Sequence, residues 1–222
     1  MRFVATIICD GRVGYLTETI AALEKNVHPL DEILLVDDSA DIGYAQMLES
    51  SYPELDGFIH HPERRGLGGA VKSAWEVALD HGADYVWRQE DDCPVTADID
   101  LNELATVLDR NQHLGQLMLM RPPFNTEEIN AGGVYALNPH LFTEQTDGTH
   151  RWVEHDSLYG FQPNLTPRSV IEYALANADN FLELGVTAAL LPAGYRFGYW
   201  GGLKDGPRCE HIGYVRSQNY RW

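Results

Sequence analysis

Two clusters of carboxylates stand where short β-rich runs end. Asp37 and Asp38 follow Ile33-Leu34-Leu35-Val36, and Glu90, Asp91 and Asp92 follow Tyr85-Val86-Trp87-Arg88-Gln89. In an open parallel sheet the carboxyl ends of neighbouring strands face one crevice, so at least four acidic groups would meet on one rim. Crowded carboxylates either keep their protons to higher pH or recruit a cation. A hard divalent ion, Mg²⁺ or Mn²⁺, takes oxygen ligands and can bridge them to a diphosphate. Acidic loops on an acidic chain are the plainer reading, and two clusters at strand ends rather than one weigh against it. Between the clusters runs His61-Pro62-Glu63-Arg64-Arg65-Gly66-Leu67-Gly68-Gly69. Arg64, Arg65 and Lys72 are candidates for contacts to a diphosphate or sugar, because glycine backbone lets a ligand approach closely. The same glycines would also suit close packing of a helix on a sheet. The loop lacks the Gly-Lys-Ser/Thr ending of an NTPase phosphate loop. Nor does it have the Gly-x-Gly-x-x-Gly spacing after the first strand that dinucleotide binding requires.

These groups need a scaffold that gathers strand ends. From Phe3 to Gln89 short β-rich runs alternate with helical spacing, the pattern of βαβ units around a parallel sheet. Phe3–Cys9 is the first predicted strand, and Leu16, Ile20 and Leu23 recur at helical intervals until His28-Pro29. Residues 32–36 form the second strand, Ile42–Ser51 a short helix stopped by Pro53, and Gly57–His60 a third strand. Val71, Ala74, Trp75, Ala78 and Leu79 share one face of a helix that ends at Gly82, and residues 85–89 form the fourth strand. Beyond about residue 98 the pattern is less regular. It predicts helices over 101–111, 168–176 and 178–191, and strands over 116–120, 133–137 and 195–199. There is no Ser/Gly linker, repeat or low-complexity tract, so a single domain over 1–222 is expected, its halves 1–97 and 98–222 sharing one sheet.

Composition bounds the partners. The 222 residues are 44% apolar and 22% charged, as in a folded globular protein, and intrinsic disorder is excluded. Lys and Arg number 16 against 33 Asp and Glu, a net charge of −17. Such a surface repels phosphate backbones and anionic lipid, so nucleic acid would need a local basic patch. Cys9, Cys93 and Cys209 are odd in number and far apart, which fits free thiols in a reducing, cytoplasmic setting and shows no zinc-type spacing. No apolar run reaches the roughly 18 residues of a membrane span. Phe3–Cys9 runs straight into Asp10 and Gly11 without a cleavage site, so it reads as a strand and not a leader.

The order of these parts resembles a known family. A strand and helix come first, then a strand ending in Asp37-Asp38-Ser39. Arg65-Gly66-Leu67-Gly68-Gly69-Ala70 opens the next helix, and a further strand ends in Glu90-Asp91-Asp92. Over roughly residues 3–95 this is similar to the nucleotide-binding half of family-2-like glycosyltransferases of the GT-A fold. The resemblance implies an α/β protein with a mostly parallel sheet and a Rossmann-like nucleotide-binding half flanked by helices. It gives Asp38 or Asp37 the contact to uracil or ribose. The family's Asp-x-Asp motif, which binds the metal and the sugar-nucleotide diphosphate, is matched by Glu90-Asp91-Asp92 with glutamate in the first place. Asp92 is then the metal-ligand candidate, and Glu90 and Asp91 belong to the nucleotide-sugar site. In the later half Asn180-Phe181-Leu182-Glu183-Leu184-Gly185 precedes Ala193-Gly194-Tyr195-Arg196, the place where related enzymes carry the base on a helix. Glu183 matches that position. Leu184 breaks the usual acidic pair, so Glu154 or Asp156 in Trp152-Val153-Glu154-His155-Asp156 stays open as the base. His211 in Glu210-His211-Ile212-Gly213 matches the histidine that completes the metal site, and its nitrogen suits Mn²⁺ better than Mg²⁺.

The implied activity is metal-dependent transfer of a sugar from a nucleotide-sugar donor, UDP-linked by preference, to an acceptor hydroxyl with inversion. A cation takes up charge on the leaving diphosphate, a base removes the acceptor proton, and a cleft excludes water. Residues 130–133 and 160–164 are expected to line the sugar and acceptor side, with Trp152, Tyr159 and Phe161 available for stacking or for the core. Two other readings stay open. A nucleotidylyltransferase would use the Gly11-Arg12-Val13-Gly14 loop after the first strand, and a nucleotide- or carbohydrate-binding module would have no base. Nucleic acid enters only as an acceptor, through a hydroxymethylated base of phage DNA, and the acidic balance counts against duplex binding.

Overall fold

A computed structural model of the chain describes residues 1–53 and 55–213. Seven consecutive buried residues form β1 (Phe3–Cys9). A strand covered on both faces needs an unbroken apolar run, and β1 lies inside the sheet. The chain continues through α1 (Val13–Asn26), β2 (Val27–His28), β3 (Glu32–Asp37), α2 (Ile42–Ser51), β4 (Gly57–His60), α3 (Gly66–Asp80) and β5 (Tyr85–Glu90). β6 (Ile99–Asp100), α4 (Leu101–Arg110), β7 (Leu114–Met118), α5 (Thr126–Ala131) and α6 (Val134–Leu137) follow. The rest is β8 (Thr143–Thr146), β9 (Arg151–His155), β10 (Asn164–Pro167), α7 (Arg168–Asn177), α8 (Glu183–Leu190) and β11 (Arg196–Trp200).

Nine strands form one sheet in the order β4-β3-β1-β5-β10-β7-β11-β9-β8, and β2 pairs with β6 separately. β4, β3, β1 and β5 are parallel, and β11 is parallel to β7. β10 runs antiparallel between β5 and β7, and β9 antiparallel between β11 and β8. Only β9 and β10 therefore oppose the common direction among the described residues, and the sheet is mostly parallel. One face is covered by α1 and α4 through Leu16, Ile20, Leu23, Leu104 and Leu108. The other is covered by α3, α7 and α8 through Val71, Ala74, Trp75, Ile171 and Leu190. Each such fully buried side chain contributes roughly 2 kcal/mol of transfer free energy. The stripe on α1 also fixes the direction of its N-terminus, and with it the place of Arg12.

The first half follows the sequence pattern closely, and the second departs from it. The strand expected over 133–137 is the helix α6; four apolar residues carry no readable period, and Tyr135 packs edge-on against Phe142 and Tyr199. The strand expected over 116–120 lies two residues earlier as β7, and the helix expected from 178 begins at Glu183. β8, β9 and β10 have no counterpart in the expectations. β10 is buried yet polar: Asn164 Nδ2 donates to Gln162 O at 2.7 Å, and Thr166 Oγ1 donates to Asn164 Oδ1 at 2.9 Å and meets Tyr159 Oη at 2.7 Å. Hydrogen bonds within the segment satisfy these groups, so no hydrophobic run marks it. No described helix is long and apolar enough to cross a membrane.

Candidate active site

β3, β1 and β5 end side by side, and their last residues open one rim. Asp37 closes β3 fully buried; its Oδ1 accepts from Ser39 N at 2.9 Å and its Oδ2 faces His60 Nδ1 at 2.8 Å. Both oxygens are already engaged, one by the local turn and one by the end of β4. Asp38 is held differently. Its N donates to Cys9 O at 3.0 Å, and its Oδ1 accepts from Arg65 N at 2.8 Å and faces His61 Nδ1 at 2.8 Å. Its Oδ2 is buried with no partner among the described residues. A buried acceptor left open is costly, and of the two carboxylates this is the oxygen with a hydrogen bond still to make. His61 is itself buried, with Nε2 at 3.0 Å from Ser73 Oγ on α3. Ala40, two residues on, takes a left-handed φ of 57°, a strained position of the kind that gathers at functional turns.

The Gly-rich loop lies across this rim. Arg64 pairs with Asp10 at the end of β1, and Arg65 caps Asp38 through its backbone and reaches Ser73 Oγ at 3.1 Å. Lys72 points elsewhere: its Nζ lies 3.7 Å from Glu76 and 5.7 Å from the Phe181 ring centroid, on the outer side of α3.

At the end of β5, Asp91 and Asp92 are buried and share one cation. Arg12 grips Asp91 through Nη2 and, at 3.2 Å, through Nε, and its Nη1 donates to Asp92 Oδ2 at 2.6 Å. Burial, opposed by Arg12 and reinforced by Asp92 and Glu90, pushes the Asp91 carboxyl up to about 7. Burial likewise lifts Glu90 to about 7, with Arg88 pulling it down and Asp92 and Glu183 pushing it up. Both shifts follow from several carboxylates confined to one hollow.

His211 reaches this hollow from the far end of the described chain. Val95 and Cys209 form an antiparallel bridge, Glu210 N donates to Pro94 O at 3.0 Å, and Ile212 N donates to Asp92 O at 2.9 Å. His211 Nε2 thereby comes 3.9 Å from Asp92 Oδ2, its Nδ1 is buried without a partner among the described residues, and its ring lies 4.5 Å from that of Phe124. A side chain at Gly213 would collide with Asp92, so glycine lets the segment close. One ligand atom each from Asp92, Cys93 and His211 lie within 4.8 Å of one another.

Glu183 occupies the first turn of α8 and accepts from Phe161 N at 2.8 Å. Arg88, buried below, donates through Nη1 to Phe161 O, stacks on the Phe161 ring at 4.2 Å and has Nη2 3.7 Å from Glu90. Glu183 is near enough to raise the Glu90 carboxyl, which places it at the rim where β5 ends. Glu154 and Asp156 do not. Because β9 runs against β11, Glu154 pairs across from Gly198 and faces His113 at 3.1 Å, toward the rim where β11 begins. There Glu154, His155 and Asp156 line a separate cleft of about 340 Å³ with His140 and Arg196. Of the three base candidates only Glu183 lies at the carboxylate rim. Trp152, Tyr159 and Phe161 are 4%, 0% and 2% exposed, core residues with no face free for a sugar.

Arg12, His61, Arg88 and Cys93 are the contributors that sequence reasoning missed as parts of the site. Arg12 directly follows Gly11 at the end of β1, and His61 sits opposite Asp38 one strand away, signals visible only once strand order is known.

A family model for glycosyl transferase family 2 matches residues 5–157, more than half of the chain. The chain belongs to this family. Among solved structures, the family-2 chain is similar to S. aureus TarS 1-349 in complex with UDP-GlcNAc, at 16% identity and a TM-score of 0.60, covering 98% of this chain and 62% of that one. It is similar to GalNAc-T7 with UDP, GalNAc and Mn²⁺ at 12% identity and a TM-score of 0.65, covering 100% and 45%. It is also similar to 4-diphosphocytidyl-2C-methyl-D-erythritol synthase at 14% identity and a TM-score of 0.55, covering 92% and 91%. The family-2 chain therefore spans less than two thirds of the two transferases, and the likeness establishes the GT-A fold. No curated protein matches it by sequence.

Proposed function

We propose that this family-2 chain transfers a sugar from a nucleotide-sugar donor, UDP-linked by preference, to an acceptor hydroxyl with inversion. What supports the reading is that Asp38 follows the end of β3 and the Asp92–His211 pair follows the end of β5, on one rim with β1 between them. A buried carboxylate with an imidazole Nε2 3.9 Å from its Oδ2 fits a divalent cation, and the nitrogen favours Mn²⁺ over Mg²⁺. Asp92 and His211 would hold it, and when bound it supplies positive charge to a departing diphosphate.

The remaining roles fall to the chain itself. Asp38 Oδ2 accepts the N–H of a base such as uracil, its other oxygen being fixed by Arg65 and His61. Arg64, turned toward the rim by Asp10, offers guanidinium N–H groups to the diphosphate. Glu183, oriented by Phe161 N, takes the acceptor proton while the oxygen attacks the anomeric carbon from the face opposite the leaving group. Residues 1–97 then serve the donor and 98–222 the acceptor, within one domain. Three buried free thiols suit a cytoplasmic setting.

The test uses the full chain. Isothermal titration should show UDP-GlcNAc or UDP-glucose binding that requires Mn²⁺ and is lost in Asp38→Asn and Asp92→Asn. Glu183→Gln should keep donor binding and lower turnover by about 10²–10⁴-fold. A second reading, nucleotidyl transfer, draws on the likeness to the diphosphocytidyl synthase over most of both chains. Arg12, which that chemistry would turn toward a triphosphate, is instead held by Asp91 and Asp92. Turnover of a nucleoside triphosphate with a sugar phosphate, and none of a UDP-sugar, would favour that second reading.

A further inference from the structure

The hollow at the end of β5 contains a thiol that the mechanism above does not use. Cys93 is 1% exposed, and its Sγ lies 3.7 Å from Asp92 Oδ1 and 3.6 Å from Glu90 Oε2. On the other side of the same carboxylate, Asp92 Oδ2 is 3.9 Å from His211 Nε2. A carboxylate thus stands between a sulfur and an imidazole, each facing a different oxygen. Ligands on a tetrahedral ion of zinc size, at about 2.0 Å for N or O and 2.3 Å for S, stand roughly 3.3–3.5 Å apart. These two distances run to different oxygens of Asp92, and the three ligand atoms together lie within 4.8 Å of one another, so closing on one ion takes side-chain rotations that shift them by about an ångström.

The backbones that carry these groups are pinned. Cys93 N donates to Glu90 O at 3.4 Å, Gln89 Nε2 donates to Cys93 O, and Ile212 N donates to Asp92 O at 2.9 Å. The other two thiols lie elsewhere: Cys9 is buried at the end of β1, and Cys209 Sγ points to Met120 O at 3.5 Å. Cys93 is the cysteine that joins the described cluster of Asp, Cys and His.

We propose that Cys93 Sγ is a third protein ligand of the cation held by Asp92 and His211, making a carboxylate–thiolate–imidazole centre that selects borderline ions such as Zn²⁺ and Co²⁺ over Mg²⁺. This rests on the cation site proposed above and adds to it the ion preference. The thiol proton passes to solvent as the Sγ–metal bond forms, so charge and atoms balance. Sulfur is a poor ligand for hard ions, and the divalent series favours Co²⁺ and Zn²⁺ over Mn²⁺ at mixed N, O and S sites.

Cobalt reports on its own ligands, so the test reads the centre without requiring turnover. The metal-free full chain is titrated with Co²⁺ in the absence of added thiols and followed by absorption. The expected result is visible d–d bands together with a near-ultraviolet sulfur-to-cobalt charge-transfer band. Cys93→Ser should lose the charge-transfer band and keep Co²⁺ binding, and Cys209→Ser should keep both. In Cys93→Ser the Zn²⁺ dissociation constant should rise at least about tenfold. Mg²⁺ binding should not change. Co²⁺ bound without a charge-transfer band in the unmodified chain would overturn the Cys93 assignment and leave the cation site standing. That spectrum decides even if Cys93→Ser fails to fold. Absence of Co²⁺ binding in both the unmodified chain and Asp92→Asn would overturn the assignment and the cation site together.

Discussion

Replacing Arg12 by glutamine should tighten cation binding while weakening the fold, two effects of opposite sign from one guanidinium. Arg12 Nη1 lies 2.6 Å from the Asp92 oxygen that faces His211, and the rest of the group holds Asp91. An ion taken up by that oxygen meets a like charge. Two unit charges about 4 Å apart repel by about 4 kcal/mol at an effective dielectric constant near 20. The double charge of the ion raises that figure. Arg12 is 22% exposed, and solvent screening lowers it. A net gain of at least about 1.4 kcal/mol is expected, a tenfold smaller dissociation constant for Mn²⁺. Against this, Asp91 is left buried and unpaired. Removing one partner of a buried pair costs about 3–5 kcal/mol, and the partial exposure of Arg12 puts the loss near the lower end. Electron paramagnetic resonance of free Mn²⁺ measures the first effect, and urea unfolding of the metal-free protein the second. Mn²⁺ binding that is unchanged or weaker in Arg12→Gln, yet abolished in Asp92→Asn, would refute the idea that guanidinium and metal compete for one oxygen.

Three further outcomes follow from the site and its surroundings. Gly213→Ala should weaken Mn²⁺ binding with little change in far-ultraviolet circular dichroism, because the added methyl meets Asp92 directly. His155 is held down at about 4 by burial, partly offset by Asp156, against an ordinary value of 6.5. Its unfolded form takes up a proton first as pH falls, so it contributes about 3 kcal/mol above pH 6.5 that is lost between pH 6.5 and 4. Glu90 and Asp91, raised to about 7, bind protons first in the folded state and pull the other way, so the His155 part is read as the difference between the unmodified protein and His155→Gln in urea unfolding at pH 7.5 and 5. Arg88→Met should destabilise the protein by about 3 kcal/mol by stranding Glu90 and freeing Phe161 O, measured by thermal or urea unfolding.

The first half was legible because each of its parts carries its own signal. β1 and β3 are rich in apolar β-formers, α1 and α3 show a 3.6-residue stripe, and acidic residues punctuate the strand ends. The second half conceals its strands. Asn164 and Thr166 are buried through hydrogen bonds that no hydrophobicity pattern records. Glu154 and Asp156 were plausible bases in the sequence, but strand direction is a property of the whole sheet, and the reversed course of β9 carries them to the wrong rim. Glu183 was readable through family resemblance and not from any local pattern. The grouping of Cys93 with His211 was invisible for another reason: metal-site spacing rules look along a few residues of chain, whereas this pair meets only after the whole sheet has formed.

The position of β10 has a consequence for how the molecule comes to exist. β5 has β1 on one flank, and its other flank stays bare until a segment roughly eighty residues later in synthesis arrives to zip against it. During that interval the emerging polypeptide displays an unsatisfied β-edge through Trp87 and Arg88, a template for association with other nascent copies. The first half of the chain is thus no autonomous folding unit, and a fragment cut before Pro167 should be a sticky one.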